Sequence, residues 1–224
     1  MVSLDYFVNN RVQIAGWLGL LGAILVGAGE FILQYSAGAD YTHGYDYFAQ
    51  VSKFRITLGH FLSVLAAPLY VAGYWHLSKR IDPQGGNIGR IFFIVGAYAF
   101  IVGAAWMGQR AFLALTVHEI AGGANLQNLL MRFSALNEPF VNVLRAAMVI
   151  VSTLWIFQIL RGRSDYPIWM ALFSPALLLG VIIGLYIGMP KLGGLLIPNA
   201  MNVAHIVVFS LSLWTGRHSD RPHS

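Results

Sequence analysis

The 224-residue chain is 57% hydrophobic and 10% charged, with a mean hydropathy of +0.65, which excludes an ordinary water-soluble domain. Its formal charge of +5 comes from fourteen Lys and Arg scattered over the connections, a pattern that argues against a nucleic-acid partner and reads as a topology signal. Without cysteine there is no disulfide, thiolate metal site, cysteine nucleophile or covalent haem attachment, so any chemistry falls to Glu, His, Arg, Tyr, Asn and Trp.

Apolar windows of about 20 residues are long enough to cross a bilayer. Six are predicted, at 14–35, 58–77, 91–115, 140–160, 168–187 and 199–215. They leave no room for a separate soluble domain, so the expected fold is all-α: one integral membrane bundle over residues 1–224. The first window, with Gly27-Ala28-Gly29 behind it, has the look of a signal peptide, but apolar character resumes from Phe31 to Tyr35 and it reads as a retained helix.

In the first span Glu30 and Gln34 share a face. The connection 36–57 is rich in aromatics, among them Tyr41, Tyr45, Tyr47, Phe48 and Phe54, and is a candidate lid. In the second span His60, Ser63, Ala67, Tyr70 and Tyr74 form a seam expected to line the bundle interior. Tyr70, Tyr74, Trp75 and His76 close that span and read mostly as interfacial anchors.

Trp106, Gln109 and Arg110 stand late in the third span, and Arg110 aligns with His118 if the helix continues. Trp17, Trp155 and Trp169 divide with Trp106 between belt and core. His118-Glu119 starts like a zincin motif, but position 122 is glycine where the second histidine belongs; no metal site is expected. The connection 116–139 is a second candidate lid.

Asn137-Glu138-Pro139 predicts the start of the fourth span, in which Glu138, Asn142 and Arg145 share a face expected to look inward. Tyr166-Pro167 predicts the start of the fifth, whose Gly180, Gly184 and Gly188 would admit a close neighbour, more naturally within the chain than in a homo-oligomer. Pro198 opens the sixth, with Asn199, Asn202 and His205 on one side. His218 and His223 lie in a polar tail. Neither Gly27, Gly29 nor Gly85-Gly86 has the spacing of a phosphate cradle.

Arg11, Lys79, Arg80, Arg90, Arg161, Arg163, Arg217 and Arg221 fall on one side of this topology, against Lys53, Arg55, Arg132 and Lys191 on the other. The positive-inside rule then makes both termini cytoplasmic in a multi-pass protein of the plasma membrane. Glu30, Arg110 and Arg145, each inside an apolar run, come to share the outer half of the bilayer with His60, Glu138, Asn202 and His205. Intramembrane charges are costly and need partners or a task.

Gly29-Glu30, Ala66-Ala67-Pro68-Leu69-Tyr70 with Gly73-Tyr74-Trp75-His76, and the stretch from Tyr98 through Arg110 resemble a bacterial family of small multi-pass membrane proteins without a known function. The resemblance covers roughly the first half of the chain and implies a prokaryotic membrane fold, but no activity. In size and paired acids the chain is also similar in kind to the integral-membrane terpene cyclases, which protonate isoprenoids. No catalytic residue carries over from them.

The expected function is an acid/base enzyme acting on a lipid or isoprenoid-like substrate, by isomerisation, cyclisation or hydrolysis. Catalysis would fall to Glu30, His205, His60 and Glu138, and substrate binding to Arg110, Arg145, Asn142, Asn202, Trp106 and Gln109. A bare ion pair fixing helix register competes with it, but the cluster holds more polar groups than neutralisation needs. The alternatives are a transporter or binder of an amphipathic or anionic small molecule, disfavoured by the lack of an inverted repeat or an obviously broken helix, and an electron carrier with one b-type haem between His60 and His205.

Overall fold

The computed structural model describes residues 4–39, 41 and 44–219, and among them every regular element is helical. Helix α1 (Leu4–Gln34) leads through a 3₁₀ turn (Asp46–Gln50) to α2 (Lys53–Ala66) and α3 (Leu69–Ile81). Then come α4 (Asn87–Ala121) and α5 (Gln127–Leu160), a 3₁₀ segment (Ile168–Phe173), α6 (Pro175–Gly188), α7 (Pro190–Leu196) and α8 (Ala200–Ser219).

The six expected membrane spans are not all single long helices. Among the described residues four helical runs are long and apolar enough to cross a bilayer, at 10–34, 87–121, 127–160 and 190–216, or five with α2 and α3 taken as one bent span. The fifth expected span, 168–187, is not one helix. Ser174-Pro175 rather than Tyr166-Pro167 opens α6, and its 14 residues rise only about 21 Å, less than the roughly 30 Å of a hydrocarbon core.

The second expected span is bent by 40° between α2 and α3. Pro68 supplies no amide hydrogen and its ring crowds the preceding turn, so the chain crosses the bend with i+3 contacts, Tyr70 N to Ala67 O at 3.0 Å and Val71 N to Pro68 O at 3.0 Å. This is the broken helix that the sequence reading lacked.

The expected lid at 116–139 does not exist as a loop. Hydropathy marks where a helix leaves lipid, not where it ends. Helix α4 runs on to Gly122-Gly123, where Gly123 takes φ +98, a conformation that favours glycine. Pro139, expected at a helix start, lies inside α5. The two helices are each about 50 Å long and project beyond a bilayer as a hairpin.

Glycines set how α1 meets its neighbours. At Gly19 and Gly73 the backbones of α1 and α3 cross so closely that a side chain on either would strike the other. A Cβ on Gly27 would come within 2.9 Å of Asn202, and one on Gly29 would strike Ser63. The two glycines before Glu30 therefore bring α8 and α2 up against it. The core beside this crossing is aromatic: Tyr70, Tyr74, Phe92, Trp155 and Phe209 are all fully buried.

The series Gly180, Gly184, Gly188 does not serve packing within the chain. All three are exposed, and nothing lies within 4 Å of a Cβ built on any of them. Helix α6 turns Ile182 inward instead.

Candidate functional site

Glu30 is 7% exposed. Its Oε2 accepts a hydrogen bond from Asn202 Nδ2, and Asn202 Oδ1 accepts from the Tyr70 hydroxyl at 2.6 Å. Because Tyr70 donates to the carbonyl side of the amide, the amine side is turned toward Glu30. The Tyr70 ring is itself fixed, stacked on Phe100 with centroids 3.5 Å apart. Gln34, one turn beyond Glu30, donates to Pro198 O at 3.2 Å, and Asn199 to Gly27 O at 3.5 Å.

Glu30 and Asn202 border a cavity of about 320 Å³ between α1, α2, α4, α5, α6 and α8. Its other polar neighbours are Ser63, Arg145 and the indole of Trp106, and its wall is otherwise apolar, with Phe100, Met148 and Ile183. Such a pocket, apolar with a few convergent polar groups, is the usual form of a small-molecule site.

Only part of the expected cluster reaches it. Glu30, Arg145, Asn202 and Trp106 line the cavity, whereas Arg110, Gln109, His60, His205, Glu138 and Asn142 do not. Arg110 is drawn aside: it donates to the Tyr47 hydroxyl at 2.6 Å and sits 4.7, 5.5 and 5.6 Å from the ring centres of Trp106, Tyr45 and Phe48. Gln109 Oε1 accepts from Asn137 at 3.3 Å.

The face of Glu138, Asn142 and Arg145 was expected to look inward, but all three are exposed. Helix α5 is turned so that Asn137, Met148, Val151 and Trp155 are the buried side. Apolar area decides the helix rotation, and Arg145 reaches the cavity from the edge of that face.

His205 is fully buried behind the cavity. Its Nδ1–H donates to Met201 O at 2.7 Å, so Nε2 accepts from the Tyr74 hydroxyl at 2.8 Å. His60 stands edge-on to Phe61 with Nδ1 buried and unpartnered. Among the described residues no group of three His, Asp or Glu could hold a metal ion. The tail position His223, and the side chain of His218, lie outside what is described.

The segment 44–52, part of the expected lid at 36–57, packs on α4 and does not line the cavity. Tyr47, Phe48 and Val51 pack with Met107, Ala111 and Val117 of α4. The Tyr45 hydroxyl donates to Glu138, His118 Nε2 donates to Val51 O at 2.5 Å, and Lys53 pairs with Glu119 at 2.8 Å. Burial raises the Tyr45 phenol above its ordinary value, and the Glu138 carboxylate raises it further. Burial also raises Tyr47, against the opposing charge of Arg110.

Tyr70, Tyr74 and His76 are not anchors at an interface, since each is 0% exposed. His76 Nδ1–H donates to Val12 O at 2.8 Å, and Nε2 accepts from Ser212 at 2.8 Å, which in turn accepts from Tyr166 at 2.6 Å. Arg80 donates to Ser212 O and lies 4.7 Å over the Tyr166 ring. Burial pushes the Tyr166 phenol up to about 12. Tyr70 is thus the main site-supporting residue that sequence reasoning misread; its place on the His60–Tyr74 seam was the signal that pointed to it.

A family match covers residues 7–218. The chain belongs to the DUF6796 family of unknown function. The match spans both halves of the chain, including Asn202 on α8 as well as Glu30 on α1, whereas the resemblance noted in the sequence rested on the first half. Comparison of this DUF6796 member with curated proteins and with solved structures returned no match, so its site is read on its own chemistry.

Proposed function

We propose that the chain is an acid/base enzyme of the plasma membrane that acts on a lipid or isoprenoid-like substrate in the half of the bilayer nearer the α4–α5 hairpin. The observation that carries this reading is the carboxylate of Glu30 on the wall of a largely apolar cavity, oriented by Asn202 and Tyr70. A carboxylate in such a wall is suited to give or take a proton at a substrate that is mostly hydrocarbon. Glu30 is the general acid or base, Asn202 orients it, and Arg145 stabilises charge that develops on the substrate.

His60 and His205 stand outside the cavity, so Glu30 exchanges its proton through the bound substrate. The bacterial origin and the cytoplasmic placement of both termini belong to the same proposal, the latter supported by the basic residues at Lys79, Arg80, Arg161 and Arg163. A homo-oligomer joined through the exposed Gly180, Gly184 and Gly188 is likewise proposed, since α6 leaves that stripe open.

The test compares lipid extracts of membranes expressing the native chain or Glu30→Gln at equal, monodisperse levels. The enzyme reading expects at least one lipid species to change with the native chain and not with the variant. Identical extracts sink it. A second reading, a transporter or binder of an amphipathic molecule, is favoured by the 40° bend at Pro68, since discontinuous helices border transporter sites. It expects a co-purified ligand chemically unchanged by either protein.

A further inference from the structure

We infer that the cavity takes a single-chain anionic amphiphile, its carboxylate or phosphate head held by Arg145 and its chain lying along the apolar wall. This rests on the reading of the cavity as a ligand site and names the ligand's class. The three arginines buried in or bordering the bundle are satisfied unequally. Arg80 has Ser212 O, Thr215 and the Tyr166 ring, and Arg110 has Tyr47 and three aromatic faces.

Arg145 stands fifteen residues before the end of α5 at Leu160, about 22 Å up the helix, and so at a depth where charge needs a partner. Its hydrogen bond is a 3.5 Å contact with Asn142 Oδ1. Among the described residues no carboxylate lies within 4 Å of it. It nevertheless borders the cavity.

Trp106 lines the cavity with its ring, while its Nε1–H is buried away from that space. Glu30, the one carboxylate among the described residues of the wall, already accepts from Asn202. What the wall lacks is therefore acceptor oxygens and negative charge. A carboxylate or phosphate supplies both, and charge-assisted bonds of that kind are the strong ones. The volume of about 320 Å³ is at the low end of ligand sites, which favours one chain over the two of a glycerophospholipid.

The test uses the full chain in a nonionic detergent and measures binding of a fluorescent long-chain fatty acid. Its methyl ester, the matching primary amine and phosphatidylglycerol serve as competitors. The acid should bind about tenfold or more tightly than ester or amine, the effect of one charge-assisted bond. Arg145→Gln should abolish that preference while ester binding stays, and Arg145→Lys, which keeps the charge, should retain most of it, so a folding defect is told apart from a lost contact.

Equal binding of acid and ester, or a preference that survives Arg145→Gln, overturns the inference and leaves the ligand-site reading standing. Displacement of the acid by phosphatidylglycerol at equal concentration overturns the single-chain assignment. If none of the probes binds to either protein, the inference and the ligand-site reading fail together.

Discussion

Glu30 is held in an apolar wall by one amide, and that amide is held by one phenol. Tyr70→Phe should leave Asn202 Oδ1 buried without its donor, at a cost of about 1–3 kcal/mol, visible as a lower unfolding temperature in detergent. Because Tyr70 does not line the cavity, a simultaneous loss of the Glu30-dependent lipid change would show that it acts by turning Asn202. Unchanged stability and lipid profile would dismiss the role. Tyr47 offers a pH test: its phenol is raised above the ordinary value of 10.0, so it stays protonated in the folded protein longer than in an unfolded chain. The associated stability is intact below about pH 10 and declines as pH rises through the shifted value. Absorbance titration should show a late-ionising tyrosine component that shrinks in Tyr47→Phe. Glu30, Arg110 and Arg145 were legible as costly residues from their apolar surroundings. That Arg110 would be boxed by aromatics was not, because the box closes between α4 and a segment about sixty residues earlier.

At the scale of elements, hydropathy located the apolar stretches but not their ends or breaks. Gly122-Gly123 and Gly162 are where α4 and α5 stop, in the case of α4 six residues past the expected apolar window that ends at Leu115. Pro68 bends a span while Pro139 continues inside a helix, and the two cannot be told apart without knowing what each helix packs against. Glycines likewise divide by contact. A Cβ at Gly96 would collide with the Tyr74 ring, whereas one at Gly184 meets nothing. Gly96→Val should therefore destabilise the fold by about 1–3 kcal/mol, read from thermal aggregation, and Gly184→Val should leave monomer stability unchanged. If Gly184→Val also shifts the protein to smaller species in size-exclusion chromatography with light scattering, the stripe joins copies of the chain. An unchanged profile argues against that.

At the scale of the whole molecule, the first and last helices share an end. His76 joins Val12 of α1 to Ser212 of α8, while Gln34 meets Pro198 at the opposite end. The chain is beside Ser212 at Tyr166 and beside Gln34 at Pro198, so it passes from one end to the other between them, although α6 alone is too short to count as a span. The absence of native cysteine makes this directly measurable. Single cysteines at Ala124 and Lys191 should react with an impermeant maleimide added outside the cell, and one at Gln84 only after permeabilisation. Labelling of Gln84 from outside would reverse the orientation, and Lys191 reacting from inside would remove the return passage.

The linear chain by itself determined the membrane class, the all-α fold, most helix locations and the identity of the costly charges, because hydropathy and helical period are local quantities. Tertiary structure alone decided which charges meet. It rotated α5 to bury Met148 and Trp155, leaving Glu138 and Asn142 outside. It committed His205 to Tyr74 and Met201, and it brought Asn202 across 172 positions to Glu30. Those outcomes depend on the rotation and close approach of whole helices, set by glycine contacts and aromatic packing, which no periodicity within one helix contains.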